Sequence, residues 1–175
     1  MSKPRDQDID LVISMANVLQ TNPSDWKYVS EGGAKIVFSY VGPSLPEFDG
    51  RVLQLRKTSI GPKNHAQSSD SESGEDDQDD PAIEYQSKCI ERLIPLQYLP
   101  RLETVLLDRL WLEAFIALHD AARPEKRREK NTIDLERKKG VLATDLVGGN
   151  WLAVEIKVSF SFLLQLVPFK PLSNL

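Results

Sequence analysis

Asp25-Trp-Lys-Tyr-Val-Ser-Glu-Gly-Gly-Ala-Lys-Ile-Val-Phe-Ser-Tyr-Val-Gly42 holds two short runs of β-branched and aromatic residues joined through a glycine pair. Runs of this composition, punctuated by glycine, read as strands. Trp26 to Tyr28 and Lys35 to Val41 are therefore expected to be extended, with Gly32 and Gly33 at their junction. A third strand, Arg51 to Lys57, follows a link that contains Gly42, Pro43, Pro46 and Gly50. Together the three predict an antiparallel meander. Alternation along the third strand puts Val52, Gln54 and Arg56 on one face, with Leu53 and Leu55 on the other.

Outward from this meander the chain alternates helical and extended signals. Asp8 to Leu19 has apolar residues at Ile9, Val12, Ile13, Ala16 and Leu19, the spacing of a helix, and Thr21 to Asp25 is a turn cluster that would end it. Ala82 to Leu93 reads as a helix with Ile83, Ser87 and Ile90 on one side. Pro95 and Pro100 bracket a connector. Glu103 to Leu118 fits either a strand followed by a helix or one long helix, and periodicity does not choose between them. Arg123 to Arg128 is a basic turn. Gly140 to Val147 and Trp151 to Lys157 are expected to pair as a hairpin across Gly148-Gly-Asn150. No internal repeat is visible.

The 175 residues are 41% hydrophobic and 27% charged, enough for one domain with a modest core. The formal net charge of -4 hides an uneven distribution. Seven acids lie between Asp70 and Asp80, and without them the remainder is about +3. From about Ser59 to Pro81 the chain has too little hydrophobic content and too much like charge to form a core, so a disordered insertion is expected there. The reading left open is a partner-binding or phosphorylated acidic segment, residues 68–80, with Ser71 and Ser73 beside acids. The single cysteine, Cys89, excludes a disulfide framework and a cysteine-based zinc site, and it suits the reducing nucleus or cytoplasm. The amino end lacks the apolar core of a signal peptide. The last apolar run, Phe160 to Val167, is far shorter than the ~20 residues of a membrane helix. An intracellular protein without a membrane anchor is expected.

Four constellations could carry chemistry. In Ser30 to Val37 the Gly32–Gly33 pair is either a plain hairpin turn or a loop whose backbone N–H groups meet a phosphate; its spacing is not that of a Walker A loop. In the third strand, Gln54 and Arg56 could face nucleotide phosphates or solvent. The Arg123-Pro-Glu-Lys-Arg-Arg128 turn suits a multiply phosphorylated small molecule, since arginine binds phosphate bidentately, or it is a solvated basic loop. No aromatic residues are interleaved with this charge, which argues against nucleic acid. In Ala153-Val-Glu-Ile-Lys157, Glu155 and Lys157 share a strand face and could serve a nucleotide or form a surface ion pair. His65 and His119 are isolated, without metal-ligand spacing, and no serine or cysteine nucleophile arrangement is present.

In this order the segments resemble the inositol-pentakisphosphate 2-kinase family. The matching strings are Asp25 to Gly42, Phe48-Asp-Gly-Arg-Val-Leu-Gln-Leu-Arg-Lys57, Ile94-Pro-Leu96, the Arg-Pro-x-x-Arg pattern of Arg123 to Arg127, and Val154-Glu-Ile-Lys157. The resemblance implies an α+β, kinase-like N-lobe, a twisted antiparallel sheet with packed helices, that binds ATP and Mg2+. It implies transfer of the γ-phosphoryl group to the 2-hydroxyl of inositol 1,3,4,5,6-pentakisphosphate, giving the hexakisphosphate. By the same resemblance Gly32, Gly33, Ala34 and Lys35 form the phosphate loop, Gln54 occupies a phosphate-facing position, Thr144 and Asp145 sit at the adenine hinge, Glu155 and Lys157 contact nucleotide, and Arg127 holds a phosphate of the inositol substrate. A monomer is expected.

The chain departs from the family pattern twice. Gln54 stands where the family usually has an arginine, and a neutral amide loses the charge-assisted bonds that an arginine makes to phosphate. Arg56, about 7 Å along the same strand face, is the candidate substitute. After Lys157 the family reads Pro-Lys, whereas this chain reads Val158-Ser159. The C-lobe, with its catalytic and metal-binding acids, is expected to be absent, so no catalytic or metal residue is assigned here and the chain is expected to be inactive. Val-Ser is what a common intron start encodes, so residues 158–175 are expected to be an aberrant tail from intron read-through. The expected organisation is an N-terminal helix and turn at 1–24, a glycine-loop meander at 25–58, an acidic insertion at 59–81, the rest of the N-lobe at 82–157, and the tail. Two other readings differ in class: a non-catalytic scaffold that uses the acidic loop, and a protein-kinase-like enzyme, which the lack of His-Arg-Asp and Asp-Phe-Gly strings disfavours.

Overall fold

In the computed structural model, residues 15–61 and 80–147 are described. Seven strands run in chain order: β1 (Ala16–Asn17), β2 (Trp26–Glu31), β3 (Lys35–Tyr40), β4 (Arg51–Ser59), β5 (Leu102–Leu106), β6 (Asn131–Ile133) and β7 (Lys139–Thr144). The helices are α1 (Pro81–Lys88), α2 (Arg109–His119) and the single turn α3 (Glu125–Arg128). The chain divides into two compact units, 1–145 and 146–175. All of these elements belong to the first, and only Leu146 and Val147 of the second are described.

The expected meander forms. β2, β3 and β4 pair antiparallel in sequence order, and β4 continues to β7, which pairs with β5. The sheet order is β1-β5-β7-β4-β3-β2, with β6 added against the end of β4. One pair, β1 with β5, is parallel, so the sheet is mixed rather than wholly antiparallel. The arrangement is α+β. The segment 103–118 resolves as strand β5 followed by helix α2, which Asp108 begins by accepting the Trp111 N–H.

The alternation read in Arg51 to Lys57 holds. Register pairs Ile36 with Leu55 and Phe38 with Leu53, and these four side chains are buried in one core with Leu142, Val105 and the Trp111, Leu112 and Phe115 face of α2. Phe38 meets Phe115 edge-on at 4.6 Å, an attractive arrangement of ring quadrupoles. Thr21 ties this core to the amino-terminal turns: its hydroxyl accepts from the Trp26 indole at 3.0 Å, and its carbonyl accepts from the Trp111 indole at 2.9 Å. His119, buried at the end of α2, packs on Phe115 and bonds the Pro23 carbonyl, a structural role.

Three expectations change. The helix expected over Asp8 to Leu19 is not formed at its described end: Ala16–Asn17 is strand β1, and Val18 to Gln20 is a tight 3-10 turn. Pairing of Ala16 with Val105 and full burial of Val18 override the local helical period. The helix expected to reach Leu93 stops at Lys88 and is followed by a separate turn, Ile90–Arg92. The ends of the segment expected as a disordered insertion, 59–81, belong to regular elements: Ser59 closes β4, and Asp80 caps α1 with Pro81 at its first position. Residues 62–79, the tail from 158 and the second strand of the expected 140–157 hairpin lie outside the described residues. Among the described residues no helix is long and apolar enough to cross a membrane.

Gly42 is required by packing. A Cβ there would lie 2.5 Å from Asp25 Cβ and 2.8 Å from the Tyr40 hydroxyl. Gly42→Ala is expected to cost about 1–3 kcal/mol, an overpacking penalty, read as a lower denaturant midpoint with an unchanged slope.

Candidate functional site

The sheet has a second face. Residues Lys35, Val37 and Ser39 of β3 lie beside Arg56, Gln54 and Val52 of β4, and these lie beside Val141 and Ala143 of β7. Val52, Val141 and Ala143 are buried yet stand apart from the core on the α2 side. The face is thus an apolar floor with cationic groups at one end. Lys35 Nζ donates to Gln54 Oε1 at 3.3 Å. Arg56 lies directly across from Lys35 in the register. Both cations engage Asp80, Lys35 at 3.0 Å and Arg56 at 3.3 Å.

At the opposite end stand Thr144 and Asp145. The Thr144 hydroxyl accepts the Arg101 N–H at 2.9 Å. The Asp145 N–H donates to the Gly50 carbonyl at 2.8 Å, and its carboxylate accepts from the Ser39 hydroxyl. Ser39 lies four residues from Lys35 on the same face of β3, so the two ends are about 13 Å apart by strand rise.

The Gly32–Gly33 hairpin joins β2 to β3, closed by Gly32 N–H donating to the Lys35 carbonyl at 2.9 Å. Neither glycine has positive φ, and a Cβ on either would meet nothing within 4 Å. Beneath the hairpin lies a buried charge cluster. Glu31 Oε2 accepts from Lys57 at 3.0 Å and from Arg123 at 3.1 Å, and all three side chains are only 2% exposed. Lys57 also donates to the Gly32 carbonyl at 2.7 Å, which Arg127 reaches at 3.3 Å. Burial pushes the Glu31 carboxyl upward, but hydrogen bonds from Arg123 and Lys57 outweigh it and hold it below the usual carboxylate range.

The structure therefore brings Gly32, Gly33, Ala34, Lys35 and Gln54 together at one end of a single sheet face, with Asp145 at the other; Thr144, paired with Arg51 and two residues from Leu142, has the parity of the opposite face. Arg127 sits beside the glycine hairpin. Glu155 and Lys157 lie outside the described residues. The basic turn is not uniformly available to a ligand: Arg123 is buried and bonded to Glu31, Asp120 and Asn131 through its terminal nitrogens, while Arg127 is exposed. Sequence reasoning passed over Asp80 and Glu31 as site members, and both matter because of residues far away in the chain. Among the described residues, no group of three or more His, Cys, Asp or Glu is placed to hold a metal ion.

Comparison with known proteins places the sequence in a family. The sequence model of the family described as inositol-pentakisphosphate 2-kinase matches residues 28–165. The chain belongs to the inositol-pentakisphosphate 2-kinase family. Proteins named inositol-pentakisphosphate 2-kinase from two strains of Cryptococcus neoformans var. neoformans serotype D, JEC21 and B-3501A, are each 35% identical to it over 151 residues. Those alignments cover 82% of this chain and 34% of each relative, so the chain spans about a third of the relatives' length.

Glu31 carries the testable consequence. Glu31→Gln removes the carboxylate that Lys57 and Arg123 share, leaving Arg123 with Asp120 but the buried Lys57 without its ion pair, and is expected to cost about 3 kcal/mol. Because the folded-state pKa of Glu31 is depressed, its contribution is present above the ordinary carboxylate pKa and is lost as pH falls through the folded value. Urea midpoints of wild type and variant should therefore differ at pH 7 and converge in strong acid.

Proposed function

We propose that this chain is the nucleotide-binding portion, a kinase-like N-lobe, of an ATP-dependent inositol-pentakisphosphate 2-kinase. The reaction is transfer of the γ-phosphoryl group of ATP to the 2-hydroxyl of inositol 1,3,4,5,6-pentakisphosphate. In this reading the base lies near Thr144 and Asp145 on the floor of Val52, Val141 and Ala143. The phosphates reach the hairpin of Gly32, Gly33 and Ala34, together with Lys35 and Gln54. The separation of about 13 Å between the two ends is on the order of an extended nucleoside triphosphate.

The observation that carries the reading is the glycine pair itself. Among the described residues nothing requires glycine at 32 or 33: φ is ordinary and a side chain would meet nothing. A ligand that approaches the backbone closely supplies the missing reason. Lys35 and Arg56 then provide the positive charge that Gln54 lacks, and the Glu31–Lys57–Arg123 cluster holds the hairpin in position. Phosphoryl transfer depends mainly on such positioning and charge neutralisation.

Glu155 and Lys157 complete the nucleotide contacts in this reading, and Arg127 takes a phosphate of the inositol substrate from its place beside the hairpin. Mg2+ accompanies ATP and offsets phosphate charge when bound. In this reading its protein ligands, like the catalytic residues, belong to the portion of the family's length that this chain does not span.

Gly33→Ala tests this. It is expected to leave the thermal midpoint unchanged, because the added methyl meets no protein atom, while weakening ATP binding at least about tenfold by calorimetric titration. Equal affinities would remove the glycine argument. The 175-residue chain alone is expected to form no hexakisphosphate from pentakisphosphate and ATP; product detected by ion-exchange chromatography would place catalytic residues within it.

A further inference from the structure

Asp80 stands immediately before α1 and serves two structures at once. Its Oδ1 accepts the Ala82 N–H at 2.9 Å, capping the helix, and also accepts from Lys35 Nζ at 3.0 Å. Its Oδ2 lies 3.3 Å from Arg56 Nη2. The side chain is 11% exposed. Both carboxylate oxygens are committed to cations on the face that the proposed function gives to nucleotide phosphates. Burial works against ionisation of this group, but the Ala82 and Lys35 hydrogen bonds and the nearby Arg56 keep its pKa below the usual range, so it is an anion at neutral pH.

Resting on the ATP reading above, we propose that the Asp80 carboxylate is an internal stand-in for a nucleotide phosphate, which the triphosphate must displace to bind. In the ligand-free chain it neutralises Lys35 and Arg56 and holds them together across the β3–β4 pair. Gln54 cannot compete for this role, since its amide is neutral and already accepts from Lys35. A triphosphate brings more negative charge and more acceptor oxygens than one carboxylate, so it can take over both cations. Two like charges cannot share that end of the face cheaply, and Asp80 must then swing away. In doing so it gives up the Ala82 N–H, so nucleotide binding loosens the first turn of α1.

The opposite arrangement is that Asp80 merely orients Lys35 for the ligand, and it predicts the opposite sign. Asp80→Asn separates the two. Asparagine caps helices as well as aspartate does, so α1 is kept while the competing charge is removed. In calorimetric titrations of the 175-residue chain, Asp80→Asn should bind ATP and inorganic tripolyphosphate about tenfold more tightly than wild type. Adenosine, which has no phosphate, should bind equally to both. Hydrogen exchange at the Ala82 amide of the wild type should speed up when ATP is added. Asp80→Ser, also a neutral cap, serves as the second variant and should show the same tightening.

If ATP binds the wild type but both variants bind it equally or more weakly, the stand-in is overturned and the nucleotide site survives. If neither ATP nor tripolyphosphate binds wild type or variants, the nucleotide reading fails and takes this inference with it.

Discussion

The pairing of β3 with β4 decides what each face of the sheet can do. Its register sets Ile36 and Phe38 beside Leu55 and Leu53 on one side, and Lys35, Val37 and Ser39 beside Arg56, Gln54 and Val52 on the other. Because strand side chains alternate with period two, a slip of one residue would send the cations into the core and the leucines to the site face. The full burial of Ile36, Phe38, Leu53 and Leu55 against α2 makes that slip prohibitive. Hydrophobic packing on one side of the sheet thus places Lys35, Gln54 and Arg56 on the other.

The glycine hairpin at the end of this pair needs separate support, since glycine contributes no packing of its own. Support comes from three distant segments that meet under it: Glu31 from the end of β2, Lys57 from β4 and Arg123 from the loop before α3. Burying three charges is not an efficient source of stability, and well-packed apolar residues often do as well. What the cluster provides is direction. Lys57 and Arg127 both donate to the Gly32 carbonyl, which ties the hairpin backbone to β4 and to the basic turn.

What the sequence revealed and what it hid divide along the range of the interactions. The β2–β3–β4 meander, the alternation in β4 and the glycine junction are local patterns, and each is present. Strand β1 was illegible because two residues of parallel pairing to β5 outweigh an apparent helical period. The β5–α2 boundary was ambiguous until Asp108 was seen to cap the helix. Arg123 and Arg127 look equivalent in a basic turn. Only the fold shows that the first is bound to a residue 92 positions away and the second faces outward. Asp80 was hidden for the same reason: in sequence it ends a run of seven acids, and in space it is the partner of two cations on strands far behind it.

The charge of the site must therefore be counted in pairs rather than residues. Setting aside the acidic run leaves a basic remainder of about +3, which suggests a surface ready for an anionic ligand. In the folded unit much of that charge is already engaged: Arg51 by Glu103, and Lys57 and Arg123 by Glu31. At the hairpin end of the site face Lys35 and Arg56 share Asp80, a member of the run that the composition invited one to set aside. The free positive charge of this face depends less on how many lysines and arginines the chain carries than on how many of them a carboxylate already holds. An arginine at position 54 would add a cation to that balance; glutamine instead accepts a hydrogen bond from Lys35. The neutral Gln54 and the Asp80 contact thus act in the same direction, and both keep the free positive charge of this face low.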